Sequence, residues 1–246
     1  MKKLSQKVIL VTGASRGIGA TIAKALAKEG AKVIVNYAGS KNAAKEVVAD
    51  IKSTGGDAIA LQADVTKPAD VKALFDNAIA HYGRIDVLIN NAGIMITKLL
   101  KDTTDEDFDR HFAINVKGTF NTMRESADRL ADNGTILNLS TSVNRMMLPG
   151  YSTYVATKSA VEQLTRVFAK EVGSRGINVN SVSPGPTNTE LFTNGKSQET
   201  IDRIAAFSAF NRIGEPDDIA KVVVFLASDD AKWISAQNIG VNGAMA

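Results

Sequence analysis

Cysteine is absent from this chain, and histidine occurs only twice. Neither a disulfide framework nor a thiolate metal site can be built, and two imidazoles do not complete a zinc centre, so no metal is expected. The lack of cysteine also fits a cytoplasmic location. No apolar run approaches the roughly 20 residues that a membrane span needs. Met1-Lys2-Lys3 is basic, but Leu4 to Val11 is too short and interrupted for a signal peptide and reads as the first strand. The 29 Lys and Arg residues are scattered among 26 Asp and Glu, a net charge of +3 with no basic cluster. Nucleic acid and membrane are therefore not expected as partners. No repeat, low-complexity segment or Pro/Gly/Ser linker divides the chain, and at 246 residues with 44% hydrophobic content it suits a single domain with one large core.

What is present is a regular alternation of two periodicities. Apolar strand-like runs occur at Val8–Thr12, Lys32–Tyr37, Ala58–Gln62, Val87–Asn90, Thr135–Ser140, Asn178–Ser183 and Asn238–Val241. Helical patterns lie between them at Gly17–Glu29, Lys41–Ser53, Pro68–Tyr82, Asp105–Arg129, Tyr154–Val172 and Asp217–Ala227. This alternation predicts an α/β fold, a doubly wound parallel sheet of about seven strands with helices on both faces. The segment Thr187–Arg212 lacks a clear strand and carries Leu191, Phe192, Ile204, Phe207 and Phe210. It fits a mobile lid over a cleft, or a surface helix pair at a subunit contact.

The first strand runs into Thr12-Gly13-Ala14-Ser15-Arg16-Gly17-Ile18-Gly19, and a helical pattern follows at once. Gly13 allows a tight turn, Gly17 a close backbone approach to a pyrophosphate, and Gly19 close packing of helix on strand. The helix start offers unpaired N–H groups and the positive end of a dipole to phosphate. Further along, Tyr154 and Lys158 are four residues apart in a helix-compatible run and so share one face. Taken alone, that pair fits a solvated helix surface as well as a proton-transfer site. A cation beside a phenol favours the phenolate and moves its pKa down from about 10, towards the range of a general acid or base.

Together these motifs resemble the short-chain dehydrogenase/reductase family over essentially the whole chain. Thr12-Gly13-x-x-x-Gly17-x-Gly19 looks like its cofactor turn, and Asn90-Asn91-Ala92-Gly93 is similar to its fourth-strand motif. Tyr154-x-x-x-Lys158 looks like its active-site pair, and Ser183-Pro184-Gly185 like the segment beside the nicotinamide. Ser140-Thr141-Ser142 and the tail Trp233–Gln237 look most like trihydroxynaphthalene-reductase-like and 3-oxoacyl-carrier-protein-reductase-like members. The resemblance implies a single Rossmann reductase domain over residues 1–246 with a substrate lid near 187–212. It also implies a cytoplasmic homotetramer, built through the two long helices and the C-terminal strand.

An acid at the end of the second strand would bind the ribose 2′-hydroxyl and select NAD. Here that strand ends in Asn36-Tyr37, while Arg16 lies in the glycine turn and Ser40-Lys41 follow. A guanidinium and an ammonium there suit a 2′-phosphate, which predicts NADPH/NADP+ over NADH, although solvated surface charges would look the same. The cofactor cradle implied by resemblance comprises Gly13, Ser15, Arg16, Gly17, Ile18, Gly19, Asn36, Tyr37, Ser40, Lys41, Asp64, Val65, Asn91, Ala92, Gly93, Ser140, Tyr154, Lys158, Pro184, Gly185, Thr187 and Thr189.

By the same resemblance Tyr154 donates a proton to a carbonyl oxygen, Lys158 holds the nicotinamide ribose and stabilises the phenolate, and Asn115 kinks a helix and positions a water. The family's serine lies thirteen residues before the tyrosine, which is Thr141 here, whereas Ser142 precedes a valine as that serine does. Both remain candidates, with Ser142 preferred. Arg145–Pro149 and Phe192 suggest an adaptable apolar substrate pocket. Carrier-protein reductases of the family dock their acidic partner through basic residues. Arg175 keeps one such position, but Asp132 stands at the other and would repel an acidic partner. The expected activity is NADPH-dependent reduction of a small-molecule ketone or 3-oxoacyl compound. The alternatives are a nucleotide-binding regulatory protein without turnover and a sugar-nucleotide epimerase. The latter are usually longer, with a separate substrate domain.

Overall fold

The computed structural model describes residues 2–246. Seven strands form one parallel sheet in the order β3-β2-β1-β4-β5-β6-β7. They are β1 (Val8–Val11), β2 (Lys32–Tyr37), β3 (Asp57–Gln62), β4 (Val87–Asn90), β5 (Thr135–Leu139), β6 (Asn178–Pro184) and β7 (Asn238–Val241). The main helices are α1 (Gly17–Lys28), α2 (Lys41–Ser53), α3 (Pro68–Tyr82), α4 (Asp105–His111), α5 (Gly118–Arg129), α6 (Val143–Met146), α7 (Ser152–Glu171), α8 (Glu190–Thr193), α9 (Gln198–Ala205) and α10 (Pro216–Ala227). No helix among the described residues is long and apolar enough to cross a membrane.

Alternation along β1 shows why both sheet faces are covered. Val8 and Leu10 join a core with Leu74 and Phe75 of α3 and Met123 of α5, while Ile9 and Val11 join one with Ile22 of α1, Val47 of α2 and Val223 of α10. A parallel sheet is stable only when buried on both faces, and its strands are accordingly apolar throughout. Helix ends follow local chemistry. Pro68 opens α3 and Gly83, at φ 84°, closes it, whereas Thr104 and Asp107 form a reciprocal capping box at the start of α4.

The strand order reverses between β1, which pairs β2 on one side, and β4 on the other. Outside the carboxyl ends of those strands lies the crevice where open α/β sheets bind ligands. The expected strands agree with the observed ones to within one residue at each end. One expected element does not survive. The pattern read as a single helix over Asp105–Arg129 is interrupted by a wide π turn at Phe112–Lys117. Such a turn marks a register change in the helical ladder, and here it is centred on the buried Asn115. The expected strandless segment near 187–212 contains the short helices α8 and α9.

Candidate active site

Two adjoining cavities open at this crevice. The larger, about 610 Å³, is lined by Gly13, Ser15, Arg16, Gly17, Ile18 and Gly19, by Asn36, Tyr37 and Ser40, by Asp64 and Val65, and by Asn91, Ala92 and Gly93. The smaller, about 150 Å³, is lined by Ser140, Thr141, Tyr154, Lys158, Pro184, Gly185, Thr187 and Thr189 together with apolar side chains. Three expected residues stand apart from both linings: Lys41, an exposed side chain that begins α2; Ser142, behind the strand end; and Asn115, buried in the π turn.

The glycine turn is held from three sides. Asn91 Nδ2 donates to the carbonyls of Thr12 and Gly13 at 3.0 and 2.9 Å, and Thr12 Oγ1 accepts from the backbone N–H groups of Asn91 and Ala92. Asn36 Oδ1 accepts from Gly13 N at 3.3 Å while its Nδ2 donates to Leu61 and Ala63 carbonyls. Asn36, at the position where an acid would select NAD, therefore braces the turn. A Cβ on Gly13 would meet Ala92 Cα at 2.8 Å, and one on Gly19 would overlap the Asn91 amide. Gly13 and Gly17 both adopt positive φ, 61° and 54°. Arg16 caps α1 in an extended conformation without bonding its side chain to the helix N-terminus, which leaves the first-turn N–H groups for an anion. This cradle fits a dinucleotide pyrophosphate.

Arg16 Nη1 lies 3.4 Å from Glu190 Oε2 of α8, both side chains being exposed at the cleft edge. Asp64 Oδ1 accepts from Thr66 N and Oγ1, and Asn121 Nδ2 donates to Val65 O. Asp64 is thus fixed by its own turn, with its side chain still at the cleft.

Around the smaller cavity, α7 presents Tyr154 and Lys158 on one face, as their spacing requires. Lys158 Nζ lies 5.9 Å from the Tyr154 ring centroid and donates to Leu139 O at 2.7 Å. Burial pushes the Tyr154 phenol up to about 12, opposed by a hydrogen bond with the Thr141 side chain, and the neighbouring Tyr151 adds slightly to the rise. Burial pulls Lys158 down to about 8. The phenol is thus raised, not lowered as expected from the neighbouring lysine, and burial is the largest cause. The protein alone keeps Tyr154 protonated at neutral pH.

The two hydroxyl candidates diverge. Thr141 lines the cavity and faces Tyr154. Ser142 Oγ instead donates to Ser183 O and accepts from Asn242 Nδ2, each at 2.9 Å. The preference for Ser142 is not supported by this geometry. Ser140 Oγ donates to Glu162 Oε1 at 2.6 Å, and Asn144 Nδ2 reaches the same oxygen at 2.7 Å. Asn144 Oδ1 is buried without a partner among the described residues.

Asn115 Oδ1 accepts from Ile94 N at 2.9 Å, and its Nδ2 donates to Ile94 O and to Thr157 Oγ1. It ties the segment after β4 to α7, and its own carbonyl accepts from Thr119 Oγ1. Sequence reasoning overlooked His111, fully buried one turn earlier. Its Nε2 accepts from Ile96 N at 3.0 Å and its Nδ1 faces Asp107 O at 3.1 Å, so the ring carries its proton on Nδ1. Burial lowers its pKa. Glu162 was overlooked as well. It is eight residues after Tyr154, and a helical spacing of two turns was the signal available.

Comparison with known proteins agrees with this architecture. A family model described as Enoyl-(Acyl carrier protein) reductase matches residues 13–245. Elsinochrome reductase 1 of Elsinoe fawcettii is 44% identical over 98% of this chain and 95% of its own length. A probable tetrahydroxynaphthalene reductase of Zymoseptoria tritici is 43% identical over 98% and 95%. Among solved structures, the angucycline C-6 ketoreductase LanV with bound NADP superposes with a TM-score of 0.93 at 39% identity, over 99% of this chain and 96% of that one. With a dinucleotide cradle beside a Tyr-Lys pair and likeness along its whole length, the chain belongs to the short-chain dehydrogenase/reductase family and is an oxidoreductase.

Proposed function

We propose that this protein is an NADPH-dependent ketone reductase acting on flat, apolar, fused-ring substrates. The observation that carries the reading is the convergence of Thr141, Tyr154 and Lys158 on a largely apolar cavity adjoining the dinucleotide cradle. The cavity walls include Val143, Met146, Leu148, Phe192 and Phe207. Relatives named for elsinochrome and tetrahydroxynaphthalene, and a solved ketoreductase of angucyclines, support aromatic polycycles as the substrate class.

The bound cofactor would supply hydride to the carbonyl carbon. Tyr154 gives its O–H proton to the carbonyl oxygen, and its raised pKa keeps that proton in place until the oxygen becomes basic. Thr141 donates a second hydrogen bond to the same oxygen, opposing the build-up of negative charge. Lys158, cationic below about pH 8, stabilises the phenolate left behind and serves the ribose hydroxyls. Asn115 holds Ile94 and α7 in register behind these groups. Arg16 reads the 2′-phosphate in place of a missing acid at the end of β2. Helices α8 and α9 act as a lid, since Leu191, Phe192 and Ile204 line the substrate cavity.

A carrier-bound acyl substrate is disfavoured. Arg175 Nε donates to Asp132 at 2.8 Å, and its other nitrogens bond the Ala127 and Leu130 carbonyls. The one basic position kept for an acidic carrier is thereby engaged within the protein. Exposed Phe120 and Val167 on α5 and α7, and exposed Trp233 near β7, support assembly as a homotetramer.

The test is NADPH consumption with 2-tetralone, a naphthoquinone, an acetoacetyl thioester and a crotonyl thioester. Fastest turnover is expected with the first two. Preference for either thioester would overturn the substrate class, and crotonyl reduction would replace a carbonyl reaction with an enoyl one.

A further inference from the structure

Resting on the fused-ring ketone reading, we infer that Tyr151 is a specificity-determining residue whose phenol binds a second oxygen on the substrate, apart from the carbonyl that is reduced. Tyr151 caps α7 one turn before Tyr154, and the two rings stand edge to face with centroids 6.4 Å apart. The side chain lines the substrate cavity and is half-buried.

The other polar side chains around that cavity are occupied. Asn91 is bonded to the glycine turn, Ser140 to Glu162, Thr187 to Gly185 O and Thr189 to Thr187 O. Thr141, Tyr154 and Lys158 belong to the reacting carbonyl. Among the described residues, no group hydrogen-bonds the Tyr151 hydroxyl. The backbone behind it is nonetheless fixed, because Val155 N donates to Tyr151 O at 2.8 Å and Lys98 N to Gly150 O at 3.0 Å. A donor held on a rigid element, facing an apolar cavity and lacking a protein partner, is satisfied by water until substrate arrives.

A flat apolar substrate filling the cavity strips that water. If the ring offers no oxygen nearby, the phenol is left unpaired in apolar surroundings, which is costly. If the ring carries a hydroxyl or carbonyl there, the lost water is replaced. Sites with such an unpaired group reject analogues lacking the matching oxygen. The ligand class is therefore a fused-ring ketone with a further ring oxygen, such as a hydroxylated tetralone or naphthoquinone.

The experiment compares kcat/KM for 2-tetralone with that for each of its four ring-hydroxylated isomers, in wild type and in Tyr151→Phe. Each protein is its own reference, so the readout is the ratio of hydroxylated to parent substrate and does not depend on the fraction folded. In wild type at least one isomer should exceed the parent by roughly tenfold, about the worth of one hydrogen bond. In Tyr151→Phe that ratio should fall to near one. A wild-type enzyme with no preference for any isomer, or a preference that survives in the variant, would overturn the inference. Failure to reduce the parent and every isomer would remove the fused-ring reading itself, and this inference with it.

Discussion

Ser140 and Asn144 both donate to one oxygen of Glu162, at 2.6 and 2.7 Å, from either side of the segment that carries Thr141. The carboxylate stands on α7 one turn beyond Lys158, so it locks the end of β5 to the helix that presents the phenol and the ammonium. Glu162 is a positioning residue. Glu162→Gln keeps an oxygen that accepts both bonds and should retain most of the rate. Glu162→Leu leaves two donors unpaired, at about 1–3 kcal/mol each, and should lower kcat by an order of magnitude or more with little change in NADPH Kd. Steady-state kinetics with a cofactor titration decides. A leucine variant with wild-type kcat would show that the segment holds its place unaided.

Thr141 and Ser142 are neighbours with different partners, one at the cavity and one on Ser183 and Asn242. Thr141→Val is expected to reduce kcat by roughly 10²–10³, the usual effect of losing one donor to a developing oxyanion. Ser142→Ala should leave kcat within a fewfold and lower the melting temperature, because Ser183 O and Asn242 lose a partner. The reverse pattern would assign the carbonyl to Ser142 and require the strand end to rearrange on binding.

Tyr154→Phe is expected to lower kcat by 100-fold or more while NADPH Kd stays near wild type, since the change deletes the proton donor and keeps the ring in place. The pH dependence follows from Lys158, held at about 8 by burial. Reduction should be level below pH 8 and decline above it as the ammonium is lost. Stability has the opposite sign. The unfolded lysine holds its proton to about 10.5, so the burial penalty is full below pH 8 and fades as pH rises through the window from 8 to 10.5. Denaturant titrations at pH 7 and 9.5 should show a gain with pH that is smaller in Lys158→Met. Tyr154 contributes only above pH 10, where its raised pKa makes folding less favourable as pH increases further.

Arg16 lines the larger cavity and pairs with Glu190 of α8. Arg16→Ala should shift the ratio of kcat/KM for NADPH over NADH towards NADH by roughly tenfold, as expected for one charge-assisted contact. Lys41→Ala should shift it little, because that side chain is outside the cleft lining. Glu190→Gln removes a competing anion and should raise the preference for NADPH. An Arg16 variant with an unchanged ratio would place phosphate recognition elsewhere.

Local pattern was enough to place the strands, most helices, the glycine turn and the Tyr154–Lys158 pair. Each of these rests on spacing along a few residues, since period 2 or 3.6 and the φ freedom of glycine are properties of short stretches. The break at Phe112–Lys117 was not legible in the helical pattern and was expected only through the resemblance at Asn115, because Asn115 is held there by Ile94 and Thr157, which are remote in sequence. His111 was invisible for the same reason, its partner Ile96 lying on a different element.

The sequence by itself determined the sheet, the cradle and the pair of residues facing each other across one helical turn. Only the tertiary structure decided which hydroxyl lines the cavity, since one residue of register at the end of β5 sends Thr141 to the cavity and Ser142 to β6. Only the tertiary structure also decided the protonation of Tyr154. A cation four residues away argues for a lowered pKa, but burial of the phenol is the largest influence on it and raises it.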